Sequence, residues 1–262
     1  MLTVVQARKK NMRAGEPIPM PWGALVQNGS AIRRGELTLI AAAPGVGKSV
    51  LAQTLVQVGN GDGTKLRSLY FSADTNASTF FNRSAAIATG YQLSDIDAYV
   101  RQGAVHVVEP AVRTDTSHMM VSFDSDLTEE HILEQIDAYA TVWGDYPELI
   151  VIDNLSDYVS FADDPGGALT EGLSLLKDIS SRANCGMVAL HHVVGQYDSG
   201  DEPVPQSGLI QKISKIPAQI WTLHKGSGAV NVSVVKNREG PADSTGRTFI
   251  SLPTDMSRAR IG

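Results

Sequence analysis

The stretch formed by residues 36–55 constrains the fold of this chain more than any other. It reads ELTLIAAAPGVGKSVLAQTL, so an apolar run ends in a loop with two glycines and continues into an amphipathic pattern. Residues 37–40 have the length and composition of a buried strand. Leu51, Leu55 and Val58 follow at helical spacing. The sequence therefore predicts a strand, a loop and a helix in direct succession, which is the beginning of an α/β fold.

The loop in this stretch matches a phosphate-binding pattern. Residues 42–49 read AAPGVGKS and fit GxxxxGK[ST] at every position except the first, which is Ala. Gly45 and Gly47 allow successive backbone N–H groups to point at phosphate oxygens, and the following helix N-terminus favours the same anion. Lys48 is then expected to contact the β and γ phosphates, and the Ser49 hydroxyl to ligate Mg²⁺. The residues predicted to bind ATP are Ala43, Pro44, Gly45, Val46, Gly47, Lys48, Ser49 and Val50.

An ordinary glycine turn before a helix is the alternative for this loop. The strand pattern before it and the helix pattern after it favour the nucleotide site, because that context is what the motif requires.

Length, cysteine usage and charge restrict the class of protein. A chain of 262 residues with 42% hydrophobic residues fits one α/β domain. Its single cysteine, Cys185, excludes a disulfide framework, fits a reducing cytoplasm and is predicted to lie in the core. We expect no membrane span, because no apolar stretch approaches the ~18 residues that a bilayer requires. We also expect no signal peptide, because the N-terminal sequence MLTVVQARKK lacks the apolar core of one. A net charge of −6 argues against a surface that binds nucleic acid all over, but leaves a local basic channel open.

The chain divides into a lead-in and a core. Residues 1–35 are predicted to form an arm and a loop-rich lead-in, since three closely spaced prolines prevent a long helix there. Residues 36–262 are predicted to form the core, an α/β fold with a mostly parallel central sheet flanked by helices. Antiparallel strands are expected at its C-terminal end. After the first strand, the predicted strands are 68–71, 104–108, 149–152, 187–190, 218–223, 230–235 and 248–252, and residues 113–126 receive no assignment.

Four of the predicted strands are followed by polar groups, at the ends where ligands gather in a doubly wound sheet: the phosphate-binding loop, Asp74, Asp153 with Asn154, and His191 with His192. Asp153 closes an apolar run and is predicted to hold Mg²⁺ together with Ser49, the alternative being an aspartate that starts a turn. Asp74 is predicted to orient or deprotonate the water that attacks ATP. Its alternative role is to cap the helix predicted at residues 77–88, which Thr75 or Asn76 could also do.

The order of these motifs resembles the RecA-fold ATPases, and most closely the DnaB-type and plasmid RepA-type hexameric replicative helicases. The resemblance extends over about residues 32–252 and rests on GEL at residues 35–37, the phosphate-binding loop, YFSAD at 70–74, IVID at 150–153 and ALHH at 189–192. It implies a RecA-like P-loop NTPase core, ATP and Mg²⁺ as cofactors, and a homo-oligomer that is a hexameric ring or a helical filament. It also implies that His192 senses the γ phosphate, whereas His191 is expected to pack at the strand end.

Two further matches extend the resemblance. Arg83 stands nine residues after Asp74, where those helicases also have an arginine, and is expected at the nucleotide. Lys236-Asn237-Arg238 is similar to the K-x-R element whose basic groups reach the nucleotide of the neighbouring subunit. The resemblance therefore implies that Lys236 and Arg238 act in trans to stabilise transition-state charge. An ordinary surface turn is the alternative.

The chain departs from the family pattern in two ways. The family's base is usually Glu, and Asp74 is one methylene shorter. The two loops expected to face a central channel, residues 155–167 and 193–207, are acidic, which opposes binding to a phosphate backbone. Lys212 and Lys215 remain the basic candidates for contacting DNA.

The expected function is that of an ATP-hydrolysing helicase or translocase that acts on single-stranded DNA in replication. Two alternatives remain open. One is a RecA-like recombination or single-strand-binding accessory ATPase that coats DNA without unwinding it. The other is a KaiC-like regulatory ATPase with a protein partner, which the acidic loops favour.

Overall fold

Nine strands of the described residues form one sheet. The computed structural model describes residues 13–60, 62–125, 127–158, 165–193, 195–209 and 213–262. The strands are β1 (Leu37–Ala42), β2 (Ser68–Ser72), β3 (Met119–Ser122), β4 (Leu149–Asp153), β5 (Gly186–His192), β6 (Gln219–Gly226), β7 (Ala229–Asn237), β8 (Ile250–Asp255) and β9 (Arg260–Ile261). Their order across the sheet is β3-β2-β4-β5-β1-β6-β7-β8-β9.

The sheet is parallel from β3 to β6, and β7, β8 and β9 are added to it in antiparallel pairs. This confirms a mostly parallel sheet with antiparallel strands at the C-terminal end. Since the parallel strands run in one direction, the carboxyl ends of β1, β2, β4 and β5 share one edge. The polar residues that follow these strands are thereby brought together.

Seven α-helices of the described residues accompany the sheet: α1 (Gly23–Gln27), α2 (Lys48–Val58), α3 (Ala77–Thr89), α4 (Leu93–Arg101), α5 (Glu109–Asp115), α6 (Glu129–Trp143) and α7 (Pro165–Ala183). Two of these helices have a short polar residue as N-cap. The Asn76 side chain accepts a hydrogen bond from the Thr79 N–H at the start of α3, and the Thr128 side chain accepts one from the His131 N–H at the start of α6. Gly90 ends α3 in the left-handed conformation. The bounds of α3 agree with the helix predicted at residues 77–88.

The core lies on both faces of the sheet, which explains why β1, β2 and β4 are buried along their whole length. One cluster packs the apolar side of α2 against the sheet and includes Ile18, Met20 and Trp22 of the lead-in. The other cluster packs α6 and α7 and includes Cys185, which is buried as predicted. The described part of the lead-in therefore packs on the core, and residues 1–12 of the predicted arm lie outside the described residues.

The strand predicted at residues 104–108 is wrong. Val105–Val107 form one turn of 3-10 helix between α4 and α5, and Val108 packs with Ile96 in a small cluster against α3. The edge strand next to β2 is instead β3, which lies within residues 113–126, for which the sequence predicts no element. Tertiary packing on α3 decides the conformation of this short apolar run, which the local pattern could not reveal.

Two smaller outcomes concern the predicted loops and the membrane. Helix α7 begins at Pro165, so the last three residues of the loop predicted at 155–167 are helical. Residues 159–164 of that loop lie outside the described residues. Within the described part of the chain, no helix has the length and hydrophobicity needed to cross a bilayer.

Candidate nucleotide site

The phosphate-binding loop joins β1 to α2 and is held by its own small apolar residues. Ala43 and Val46 are buried, whereas Pro44 and Gly45 are exposed. Gly45 and Gly47 have φ angles of +75° and +115°, which disfavour any residue with a Cβ. The loop is therefore anchored by two side chains while the backbone between them stays at the surface. Val50, in the first turn of α2, packs against the core.

Two distant segments border this loop. A Cβ at Gly47 would lie 2.8 Å from Met256 Cε, in the segment that leads into β9. A Cβ at Gly200 would overlap with Val46 Cγ2, so the long polar loop after β5 lies directly against the phosphate-binding loop. Neither contact is predicted by the sequence pattern. The only signal for the second one is a glycine within an otherwise polar loop.

Lys48 is buried beneath the loop and makes three contacts. Its Nζ donates to the carbonyl oxygens of Ala42 (3.1 Å) and Ala43 (3.4 Å), and lies 3.1 Å from His192 Nδ1. Burial lowers the pKa of Lys48 to about 8, while the nearby carboxylates of Asp153 and Asp74 act in the opposite direction. The end of β5 and the loop after β1 therefore meet at one ammonium group.

Asp74 continues this chain of contacts. Its Oδ2 lies 3.5 Å from Nε2 of His192, the ring whose Nδ1 faces Lys48. The backbone N–H of Asp74 donates to the Asp153 carbonyl oxygen, which fixes the end of β2 beside the end of β4. Asp74 does not cap α3, because Asn76 takes that role. Lys48, His192 and Asp74 therefore form one continuous polar row.

Asp153 is buried, and each of its oxygens has its own hydrogen bond. Oδ1 accepts from the Ser49 hydroxyl at 3.2 Å, and Oδ2 accepts from the Tyr70 hydroxyl at 2.7 Å. Burial raises the pKa of Asp153, and these two hydrogen bonds lower it. A hydroxyl and a carboxylate are hard oxygen ligands of the kind that Mg²⁺ prefers, so Ser49 and Asp153 fit this ion. Tyr70 is not among the site residues predicted from the sequence, because it lies in an apolar strand run.

Two further groups lie close to the row. His191 is buried, with its Nδ1 3.5 Å from the Ser156 hydroxyl, and burial lowers its pKa to about 4. Asp157 is half-buried, and burial raises its pKa, with the Asp74 carboxylate adding to the effect. Neither residue was part of the predicted site, and the charges of the row contribute to the pKa of each.

Arg83 lies in α3, on the side that faces β2. Burial raises the pKa of the Tyr70 hydroxyl well above its ordinary value, and the charge of Arg83 acts in the opposite direction. The side chain is half-buried. Its position nine residues after Asp74 therefore brings it near the group that contacts Asp153.

Lys236 and Arg238 lie beside the amino ends of the parallel strands, opposite to the phosphate-binding loop. Lys236 pairs with Ile220 near the start of β6, and the Arg238 N–H donates to the Ala218 carbonyl, next to the start of β1. The phosphate-binding loop follows the far end of that six-residue strand, about 17 Å away at the usual rise per residue. The structure therefore does not bring this pair to the nucleotide site of its own chain.

The two cations are held by the turn that precedes β6. Lys236 Nζ donates to the carbonyl oxygens of Ser214 (2.9 Å) and Lys215 (3.0 Å), and an Arg238 guanidinium N–H donates to that of Ile216 (3.4 Å). Burial lowers the pKa of Lys236 to about 8, and the charges of Arg238 and Lys177 add to this effect.

Of the two lysines predicted to contact DNA, the structure describes only Lys215. Lys215 is exposed, and Lys212 lies outside the described residues, as do Asp163 and Asp164 of the first acidic loop. In the second loop, Asp201 lies 3.6 Å from the Lys225 ammonium.

Comparisons with known proteins show the family and the fold. A family described as AAA domain matches residues 14–195. The gene 65 protein of Mycobacterium phage L5 is 37% identical over 251 residues, 91% of this chain and 90% of that protein. The gene 65 protein of Mycobacterium phage D29 is 32% identical over 228 residues, 82% of this chain and 94% of that protein.

Solved structures are similar over nearly the whole chain. One of them, an ATPase domain, has a TM-score of 0.79 at 14% identity, and the match covers 98% of this chain and 95% of that domain. A DnaB-like replicative helicase, described with its interactions with primase, has a TM-score of 0.78 at 15% identity. The match covers 98% of this chain and 64% of that helicase. The RecA-like ATPase fold of DnaB-like helicases, expected from the sequence, is thereby confirmed.

Proposed function

We propose that this chain, which belongs to the AAA domain family and to the family of the mycobacteriophage gene 65 proteins, hydrolyses ATP to drive a helicase or translocase on single-stranded DNA. The observation that carries the ATPase part is the polar row of Lys48, His192 and Asp74 beside the Ser49–Asp153 pair. It combines a cation for phosphate, a carboxylate for water and oxygen ligands for Mg²⁺ at one edge of the sheet. The DNA part is supported by the fold of DnaB-like replicative helicases.

Each residue has a chemical task in this proposal. Lys48 and the backbone N–H groups of residues 43–49 bind the phosphates, and Ser49 and Asp153 hold Mg²⁺, which neutralises phosphate charge when bound. Asp74 orients the attacking water, because its carboxylate is half exposed and can accept a hydrogen bond from that water. His192, between Asp74 and Lys48, responds to the presence of the γ phosphate. Arg83 contributes a positive charge near Tyr70, the residue that donates a hydrogen bond to Asp153.

The site is completed by a second copy of the chain. Lys236 and Arg238 lie too far from the phosphate-binding loop of their own chain, and both are held at a surface turn. A neighbouring copy placed head to tail would bring them to the nucleotide, as a hexameric ring or a helical filament does. Such a cation stabilises charge on the transferring phosphoryl group.

A second candidate is a regulatory ATPase with a protein partner. The observation that favours it is the exposed acidic group of Asp198, Asp201 and Glu202 in the loop after β5. Carboxylates at this position repel a phosphate backbone and suit a basic protein surface.

A coating protein that binds DNA without unwinding is distinguished from a helicase by its failure to separate a forked duplex.

The experiment compares Mg²⁺-dependent ATP hydrolysis of wild type and Lys48→Ala, each with and without single-stranded DNA. We expect hydrolysis by wild type that DNA accelerates, and none by Lys48→Ala. Arg182→Ala, which removes an exposed cation of α7, serves as the control and should behave as wild type. No hydrolysis by wild type under either condition contradicts the ATPase. Hydrolysis that DNA leaves unchanged, without strand displacement, favours the protein partner.

A further inference from the structure

Tyr70 is a buried residue of β2 whose hydroxyl reaches across to the next strand. In the register of β2 and β4, Ser72 pairs with Asp153 and Tyr70 pairs with Val151. Tyr70 and Asp153 therefore lie on the same face of neighbouring strands, two residues apart along the sheet. The side chain of Tyr70 is long enough to cover that diagonal. Its hydroxyl donates to Asp153 Oδ2 at 2.7 Å.

The ring of Tyr70 is held in place by its surroundings. Phe80 of α3 packs edge to face against it with a centroid distance of 5.1 Å, and Phe123 packs in turn against Phe80 at 5.6 Å. Only 1% of Tyr70 is exposed, so water does not compete for the hydroxyl. The packed ring therefore keeps the phenolic oxygen beside Asp153.

The two oxygens of Asp153 have different surroundings. Oδ2 accepts from Tyr70 and faces the protein interior, while Oδ1 accepts from Ser49 at the start of α2. A carboxylate held at one oxygen by a fixed donor cannot rotate about its last bond without losing that hydrogen bond. Such a loss would leave a buried acceptor unsatisfied, which is costly. The Tyr70 hydrogen bond thus fixes the orientation of the carboxylate group, and with it the direction of the second oxygen, which faces Ser49.

We propose that Tyr70 is a positioning residue for Mg²⁺ at this site, an inference that rests on the proposed function. Tyr70 acts through Asp153: it holds one carboxylate oxygen, so that the other would be available, beside the Ser49 hydroxyl, to an ion bound there. Groups that orient a metal ligand in this way typically change metal affinity by 10–100-fold when they are removed. No part of the phosphate-binding motif assigns this role, because Tyr70 lies in an otherwise apolar strand run.

The test is Tyr70→Phe, which keeps the ring contacts and removes only the hydroxyl. Binding of a fluorescent ATP analogue is titrated with Mg²⁺, and Mn²⁺ bound to the nucleotide–protein complex is measured directly by electron paramagnetic resonance. We expect Tyr70→Phe to need about tenfold more Mg²⁺ or Mn²⁺ than wild type. Nucleotide affinity in the presence of a chelator should be unchanged.

Tyr139→Phe is the matched control. Tyr139 is also a buried tyrosine, its ring stacks on Trp143 in α6, and its hydroxyl has no hydrogen-bond partner among the described residues. We expect Tyr139→Phe to titrate as wild type does. A second comparison uses Asp153→Asn: adding Tyr70→Phe to it should cause no further loss of metal affinity, since Tyr70 acts through Asp153.

The outcomes separate this inference from the proposed function. If wild type shows no metal-dependent nucleotide binding, the proposed function itself fails. If wild type depends on metal and Tyr70→Phe titrates identically, the role of Tyr70 is overturned. A Tyr70→Phe chain that does not fold overturns it too, because the hydroxyl would then serve the fold. The role of Tyr70 is also overturned if Tyr70→Phe lowers metal affinity by the same factor in the Asp153→Asn background as in wild type.

Discussion

The candidate site is a row of polar side chains around the buried ammonium group of Lys48. Lys48 is buried, yet it lies beside His192 and within reach of the Asp74 and Asp153 carboxylates. Burial disfavours its ammonium form, and the carboxylates favour it. A triphosphate adds further negative charge at the same place. Binding of ATP therefore strengthens the protonated state of Lys48, in which it can contact phosphate.

Asp74→Asn should separate ATP hydrolysis from ATP binding. The amide keeps the size of the carboxylate but cannot accept a proton from water, so we expect kcat to fall by about 10²–10⁴-fold. The affinity for ATP should change little, because Lys48 and the backbone of the phosphate-binding loop remain. The measurement is steady-state hydrolysis together with the Kd of a fluorescent ATP analogue.

Asp97→Asn is the control for this change, since it removes a surface carboxylate of α4 that pairs with Arg101. It should leave kcat as in wild type. Full hydrolysis by Asp74→Asn would exclude Asp74 as the group that activates water and would direct attention to Asp157.

His191 should make the stability of the fold sensitive to acid. Its pKa is about 4 in the folded chain and about 6.5 in an unfolded one, so the unfolded state binds more protons between these values. The stability is therefore fully present above pH 6.5 and is lost as pH falls towards 4. Between pH 7 and pH 5 the loss from this group is about 2 kcal/mol.

Urea unfolding of wild type and His191→Gln at several pH values measures this effect. We expect the free energy of unfolding of the variant to fall less between pH 7 and pH 5. His106→Gln, which replaces an exposed histidine, should follow the wild-type curve. Parallel curves for wild type and His191→Gln would contradict the buried, neutral state of His191.

Among the elements, the loop after β5 and the phosphate-binding loop form a contact that should control nucleotide affinity. Gly200 has a φ of +70°, its carbonyl accepts from the Lys225 N–H, and a Cβ there would overlap with Val46. Gly200→Ala should therefore displace Val46 and weaken ATP binding about tenfold, in line with the usual cost of overpacking. The measurement is the Kd of an ATP analogue, with thermal unfolding recorded in parallel.

Gly195→Ala separates the contact from backbone strain. Gly195 lies in the same loop with a φ of +84°, but a Cβ there has no described atom within 4 Å. Both variants carry the strain of a left-handed residue, about 1 kcal/mol, whereas only Gly200→Ala meets the phosphate-binding loop. Equal ATP affinities of the two variants would show that the contact has no influence on the site.

The elements that could be predicted from the sequence are those with local signals. The glycines of the phosphate-binding loop, the helical spacing of α2 and the cap of α3 all act within a few residues. The strand β3 and the turn at Val105–Val107 depend instead on what they pack against. Within the site, Lys48, Asp74, Asp153 and His192 could be predicted to meet because they follow parallel strands. Tyr70 could not, because its hydrogen bond depends on strand register.

At the scale of the whole molecule, the two halves of the proposed site lie at opposite ends of the parallel strands. Lys48 follows the carboxyl end of β1, and Arg238 is hydrogen-bonded beside its amino end. Neither half can act on the other within one chain. A head-to-tail assembly places the Arg238 edge of one copy against the Lys48 edge of the next, and repeating this contact closes a ring or extends a filament.

Mixing two inactive variants tests this arrangement. Lys48→Ala lacks the phosphate-binding cation, and Arg238→Ala lacks the cation supplied to the neighbour, so each alone should hydrolyse little ATP. In mixed assemblies, an Arg238→Ala copy binds ATP and a Lys48→Ala neighbour supplies its Arg238. With random mixing in equal amounts, roughly a quarter of the head-to-tail interfaces are complete. We therefore expect the mixture to recover about that fraction of wild-type activity.

The control mixes Lys48→Ala with Asp74→Asn, two changes that affect the same half of the site. No chain in that mixture carries both Lys48 and Asp74, so no complete nucleotide site can form. Activity should therefore stay at the level of the separate variants. Recovery in the control would mean that the two halves are not divided between copies as proposed. Absence of recovery with Arg238→Ala, while light scattering shows mixed assemblies, would mean that Arg238 does not act in trans. Because the control and the test share Lys48→Ala, only the location of the second residue distinguishes them.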